Sequence, residues 1–275
     1  SQWIMEEFGV DGFRLDAAKH IEPWFWDRYY DTYMFQRRRA PDGSFVTPFS
    51  FGECVEGPSL VHHYWVRKDG FGNRDALDLS NAGDVRNIIG AKGGNSISGL
   101  NNNTLDVFDD GFNNGSVGVR HIHSHDNGSR GDGGSAPDYP YEDKIGFFAY
   151  AYMIMRPGPG IVYLNAREMH DRFTNRGGFW PREGVPTALG FGSYYTLPSN
   201  SLFTGADDRI TRLVQLSNRY GRGYFIPRVS ADGAVYAYTR QTPSGVDNVL
   251  VAVNDEFVTT STTYDERTFT TAFPQ

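Results

Sequence analysis

A single cysteine, Cys54, stands in the 275 residues, so no intrachain disulfide framework holds this fold together. It directly follows Glu53 in an extended segment and therefore points to the opposite face, which reads as a packed thiol and not a nucleophile. No run of 18 apolar residues occurs, so nothing in the sequence spans a membrane. No signal-peptide pattern opens the chain, which starts inside helical sequence. Excess positive charge is also lacking. A formal net charge of -7 argues against a nucleic-acid backbone as partner. No internal repeat is evident.

What is present centres on Gly9-Val10-Asp11-Gly12-Phe13-Arg14-Leu15-Asp16-Ala17-Ala18-Lys19-His20, an apolar strand ending in charge. Burying charge is costly unless the groups are paired or face a working cleft, and the C-terminal mouth of a parallel barrel is such a cleft. One reading is an Arg14–Asp16 ion pair closing a strand, since residues two apart share a face. Two further apolar segments also end in acid: Ser50-Phe51-Gly52-Glu53, and Val119-Arg120-His121-Ile122-His123-Ser124-His125-Asp126. Three strands that each deliver a carboxylate suit convergent acid chemistry.

These stretches resemble the α-amylase family, glycoside hydrolase family thirteen. GFRLDAAKH is similar to its second conserved region, FGE to the third and HSHDN to the fourth, in the family's order. The resemblance implies Asp16 as nucleophile, Glu53 as general acid/base and Asp126 as the third carboxylate that steadies the transition state. It also implies Arg14 and His125 as invariant partners of the sugar, with Lys19 and His20 lining the aglycone side. Ser124 departs from the usual Asn of the fourth region, which bears on local hydrogen bonding. Aromatic residues make up 15% of the chain, and this surplus around acids favours the flat apolar faces of sugars. Trp65 is the candidate platform.

In chain order, residues 2–8 read as a helix stopped by Gly9 and 10–16 as the first strand. Pro23 opens an aromatic helix expected to run from Trp24 to about Arg39, its Trp26, Tyr29, Tyr30 and Tyr33 stripe facing a sheet and its basic end closing the helix. Strands follow at 49–53, 76–79, 119–124 and 161–164, with helices at 84–89, 142–156 and 210–220. Gly90 to Gly115, with a short helical piece near 105–109, reads as an insertion over a rim, as does 165–207. After Gly221 the period turns to strands at 223–226, 234–240 and 249–254, with Asp232-Gly233 as a hairpin signal. The fold class expected is α/β: an incomplete (β/α)8 TIM barrel, about strands 4 to 8, over residues 1–221, followed by a small antiparallel all-β domain over 222–275. Three βα units then precede Ser1 in the complete barrel. Alone, the chain is expected to expose sheet edges and to be inactive without that N-terminal barrel segment.

The activity implied is a retaining α-glycoside hydrolase or transglycosylase acting on an α-glucan or maltooligosaccharide. Sucrose and trehalose remain open as substrates. Such enzymes hold nucleophile and acid roughly 5–5.5 Å apart. No cofactor is required for this chemistry. Structural calcium is possible by resemblance, with only the backbone near His20 contributing here, and an extracellular or periplasmic location is implied the same way. Two other classes remain. His121-x-His123-x-His125 places alternate residues on one strand face, as a metal-dependent hydrolase requires. A non-catalytic carbohydrate-binding or scaffold relative would keep the barrel without turnover.

Overall fold

A computed structural model of the chain describes residues 2–91, 93–108, 117–122, 124, 144–161, 209–228, 235–255 and 266–274. Helix α1 (Gln2–Phe8) ends at Gly9, whose φ of 65° is the left-handed turn that glycine adopts without strain. Strand β1 (Gly12–Leu15) follows. The chain then passes through a 3₁₀ turn (Ala18–His20) into α2 (Pro23–Phe25), a π-helical turn (Trp26–Tyr30) and α3 (Asp31–Met34).

Here the structure departs from expectation. The helix stops at Met34, because Phe35 turns extended and Gln36 takes a φ of 49°. Arg38–Arg39 form β2, which pairs antiparallel with β3 (Phe45–Val46) across the Pro41-Asp42-Gly43 turn. Arg38 is thereby free to reach Asp11, 2.8 Å away, instead of closing a helix. The π turn also shifts the phase of the aromatic stripe. Trp26 is buried, its Nε1 donating to the carbonyl oxygens of Ala18 (3.2 Å) and Ile21 (3.3 Å), while Tyr29 and Tyr33 face outward.

Next come β4 (Phe49–Gly52), α4 (Pro58–Tyr64), β5 (Arg74–Ala76) and α5 (Leu79–Gly90). The third strand thus lies earlier than the sequence indicated, with Leu79 already opening a 12-residue helix. After two 3₁₀ turns (Ile97–Asn101 and Leu105–Phe108) the chain forms β6 (Arg120–His121), α6 (Lys144–Ile154), β7 (Gly160–Ile161) and α7 (Arg209–Tyr220). Residues 93–108 are no flap over a rim, since Ile97, Leu100 and Leu105 are fully buried. The insertion expected at 165–207 and the Asp232-Gly233 hairpin lie outside the described residues.

β1 pairs parallel with β4 and β4 with β5. A parallel bridge between Leu77 and Val119 carries the succession to β6, which pairs parallel with β7. Five parallel strands therefore neighbour one another in sequence order, the arrangement that repeated right-handed βα units produce. β8 (Tyr224–Pro227), β9 (Val235–Gln241) and β10 (Asp247–Asn254) form an antiparallel sheet in the order β10-β9-β8. Its inner face, with Phe225, Tyr236, Tyr238 and Val253, shares one core with Val85, Ile89, Tyr152 and Met153 of α5 and α6. A second cluster under β1 and β4 gathers Ala18, Trp26, Cys54, Val61, Trp65 and Leu105. No helix among the described residues is long and apolar enough to cross a membrane.

Candidate active site at the ends of the first two parallel strands

Register brings the first two acids together. Leu15 pairs with Gly52, so Asp16 and Glu53 each stand one step beyond the last pair of β1 and β4. Two backbone bonds lock this end: Glu53 N–H donates to Leu15 O (2.9 Å) and Ala18 N–H to Glu53 O (3.0 Å). Close approach of the strands depends on glycine. A Cβ at Gly12 would fall 1.9 Å from the Phe49 carbonyl oxygen, and one at Gly52 2.4 Å from the Trp65 ring.

Arg14 is the hub. Its Nη1 bonds Asp16 Oδ1, and its Nη2 bonds Glu53 Oε2 at 3.1 Å. One guanidinium thus ties both carboxylates through its fork. The side chains keep contact with solvent, Asp16 at 72% and Glu53 at 18% of full exposure. Lys19 Nζ donates to the Val55 carbonyl oxygen (2.9 Å) and to Glu56 Oε1 (3.1 Å). His20 ends the 3₁₀ turn and is exposed.

Sequence reasoning missed one contributor. Ala17 adopts φ 46° and ψ 37°, a left-handed conformation unusual for a residue with a Cβ, and its N–H donates to Glu53 Oε2 at 3.3 Å. Alanine carries no side-chain signature for such a turn. Glu56, the partner of Lys19, was also not singled out as a site residue, although its position three residues after Glu53 puts it in the same loop.

Trp65 requires correction. It is 3% exposed, with the Trp26 ring 4.7 Å away, the Arg74 guanidinium 5.0 Å over its face and its Nε1 bonded to the Asp75 carbonyl oxygen. A sugar platform needs an open face, and Trp65 is a core residue. Cys54 is buried as expected, and burial pushes its thiol up to about 12. Asp126 and His125 lie outside the described residues, as does His123. β6, which leads toward them, runs parallel to β5 and β4, so its C-terminal end points toward the same rim as Glu53. His121 is fully buried, and desolvation with the Arg86 charge nearby lowers it to about 3. Among the described residues no group of three or more His, Cys, Asp or Glu side chains converges as a metal site. No step below runs through a metal.

No family model and no curated protein matches the sequence. Solved structures do match. The γ-CGTase of the alkalophilic Bacillus clarkii superposes with a TM-score of 0.60 at 19% identity, over 92% of this chain and 33% of that one. A Glu-to-Gln variant of AmyP in complex with maltotriose gives 0.56 at 12% identity, over 88% of this chain and 54% of the other. A Glu-to-Gln variant of α-amylase I from Eisenia fetida with maltohexaose gives 0.51 at 15% identity, over 93% and 51%. The chain shares the fold of the α-amylase family. It spans between a third and about half of the length of these α-amylase-family structures.

Proposed function

We propose that the chain is the C-terminal part of a (β/α)8 catalytic barrel with the start of an antiparallel β domain, the two meeting near residue 221. The complete protein is then a retaining α-glycoside hydrolase or transglycosylase whose substrate is an α-glucan or maltooligosaccharide. One observation carries this reading: Arg14 holds Asp16 and Glu53 together at the ends of adjacent parallel strands. Neighbouring strands lie about 4.8 Å apart, the scale on which a retaining pair works. The α-glucan-acting names of the structural neighbours support the substrate class.

In this mechanism Asp16 attacks the anomeric carbon and forms a covalent glycosyl-enzyme, while Glu53 gives its proton to the departing glycosidic oxygen. Glu53 then takes a proton from the incoming water or sugar hydroxyl as the bond to Asp16 breaks. Arg14 orients both carboxylates and balances the charge of the nucleophile. The Ala17 N–H holds Glu53 in place. By resemblance, Asp126 and His125 complete the grip on the sugar, with Lys19 and His20 on the aglycone side.

The test is Glu53→Gln in the complete protein, assayed on maltohexaose. Loss of the proton donor lowers turnover roughly 10²–10⁴-fold, with the fold intact by circular dichroism. Undiminished turnover removes Glu53 from the mechanism and the proposal with it.

A further inference from the structure

Behind the two carboxylates, on the other side of the Glu53–Cys54 segment, lies a cavity of about 280 Å³. Pro23, Trp26, Cys54, Val61 and Trp65 form its walls. Ile21, Leu60 and Tyr64, which are 42%, 50% and 53% exposed, stand at its mouth. Its charged lining residues, Lys19 and Glu56, are bonded to each other at 3.1 Å, so their charges cancel at the rim.

These features select an occupant. A sugar buries many hydroxyl groups, and walls of indole, thiol and aliphatic carbon leave those hydroxyls without partners. An ion finds no net charge to answer it. A neutral molecule with an apolar body and one hydroxyl suits both the walls and the rim, where the Lys19–Glu56 pair meets the polar end. Size agrees: a cavity of roughly 150 Å³ accommodates benzene, so this one takes a benzene ring together with a short carbon chain.

We infer that the cavity is a binding site for the apolar part of an aryl or alkyl alcohol. This binding does not rest on the glycosidase reading. Ala18 and Cys54 line the cavity and follow Asp16 and Glu53 by two residues and one, so an occupant sits directly against the segment that carries the acids.

Two of the chain's five tryptophans line the cavity and supply the readout. Titration of the full-length protein with 3-phenyl-1-propanol, followed by tryptophan emission, is expected to saturate in the millimolar range. Leu60→Asp and, separately, Ile21→Asp place a carboxylate at the apolar mouth on exposed positions that tolerate it, and each weakens binding at least tenfold. Maltose in excess leaves the titration unchanged, and Glu53→Gln binds the alcohol as the parent does. A linear response identical in parent and variants overturns the inference, as does displacement by maltose. Either outcome leaves the Glu53 assay untouched, so failure of the pocket and failure of the glycosidase reading are distinguishable.

Discussion

Arginine meets carboxylate in two places whose surroundings have little in common. At the rim, Arg14 holds Asp16 and Glu53 with side chains 32%, 72% and 18% exposed. Inside the other half, Asp106 pairs with Arg120 and with Arg156 Nη2 at 2.6 Å, and all three side chains are 3% exposed or less. Arg156 also lies 5.3 Å over the Tyr152 ring and 4.5 Å over Phe225. Both clusters use the same ions. The sealed one joins β6, the end of α6 and the 3₁₀ turn at Leu105–Phe108 and has no face left for a ligand. The open one keeps its carboxylates in contact with solvent.

This contrast predicts opposite consequences for removing an acid. Asp106→Ala takes from two buried guanidinium groups the carboxylate they are bonded to, a loss of about 3–5 kcal/mol in unfolding free energy by urea titration. Asp16→Ala breaks a solvent-screened pair and shifts the same titration by less than about 1 kcal/mol. Equal shifts would abolish the distinction between a sealed and a solvent-screened cluster.

The two halves were also unequally legible in the sequence. The rim was readable because apolar runs ending in Arg14, Asp16 and Glu53 break the hydrophobic pattern at a strand end, where a charge needs a reason. The parallel βα order followed from the same runs and their glycine and proline punctuation. Asp106 was not readable: it sits in a Gly/Asn-rich stretch that looks like surface loop, and only the tertiary fold shows that Ile97, Leu100 and Leu105 drag that stretch into the core. Trp65 was misjudged for a related reason. Composition marks an indole near acids as a platform, yet Gly52 beneath it and Trp26 beside it leave it only 3% exposed to solvent. Helical spacing likewise overstated the aromatic stripe, since nothing local announces a π turn at Trp26–Tyr30.

The rim is held by backbone more than by its exposed ions, and Gly12 sharpens that point. A methyl group there meets the Phe49 carbonyl oxygen at 1.9 Å, across the pairing that sets Asp16 beside Glu53. Gly12→Ala forces β1 away from β4 and lowers stability by about 1–3 kcal/mol, read by thermal melting. If the proposed glycosidase reading holds, the same change in the complete protein reduces turnover, because the carboxylates separate even though neither is altered. A variant with parent stability and parent turnover would mean that the side-chain fork alone sets the geometry.

The sealed half should respond to pH through His121. His121 is buried against the Arg86 charge, and its folded value of about 3 lies below the 6.5 of an exposed imidazole. Between those values the unfolded chain binds a proton that the folded chain refuses, so unfolding draws protons and stability falls as the solution is acidified. The contribution is complete above pH 6.5 and declines by about 1.4 kcal/mol per pH unit below it, until the folded imidazole itself titrates near pH 3. Urea titrations at pH 7.5, 6.5 and 5.5 expose the slope, and His121→Leu removes this residue's share of it. If the variant keeps the full slope, the acid sensitivity arises elsewhere and the buried imidazole is not its source.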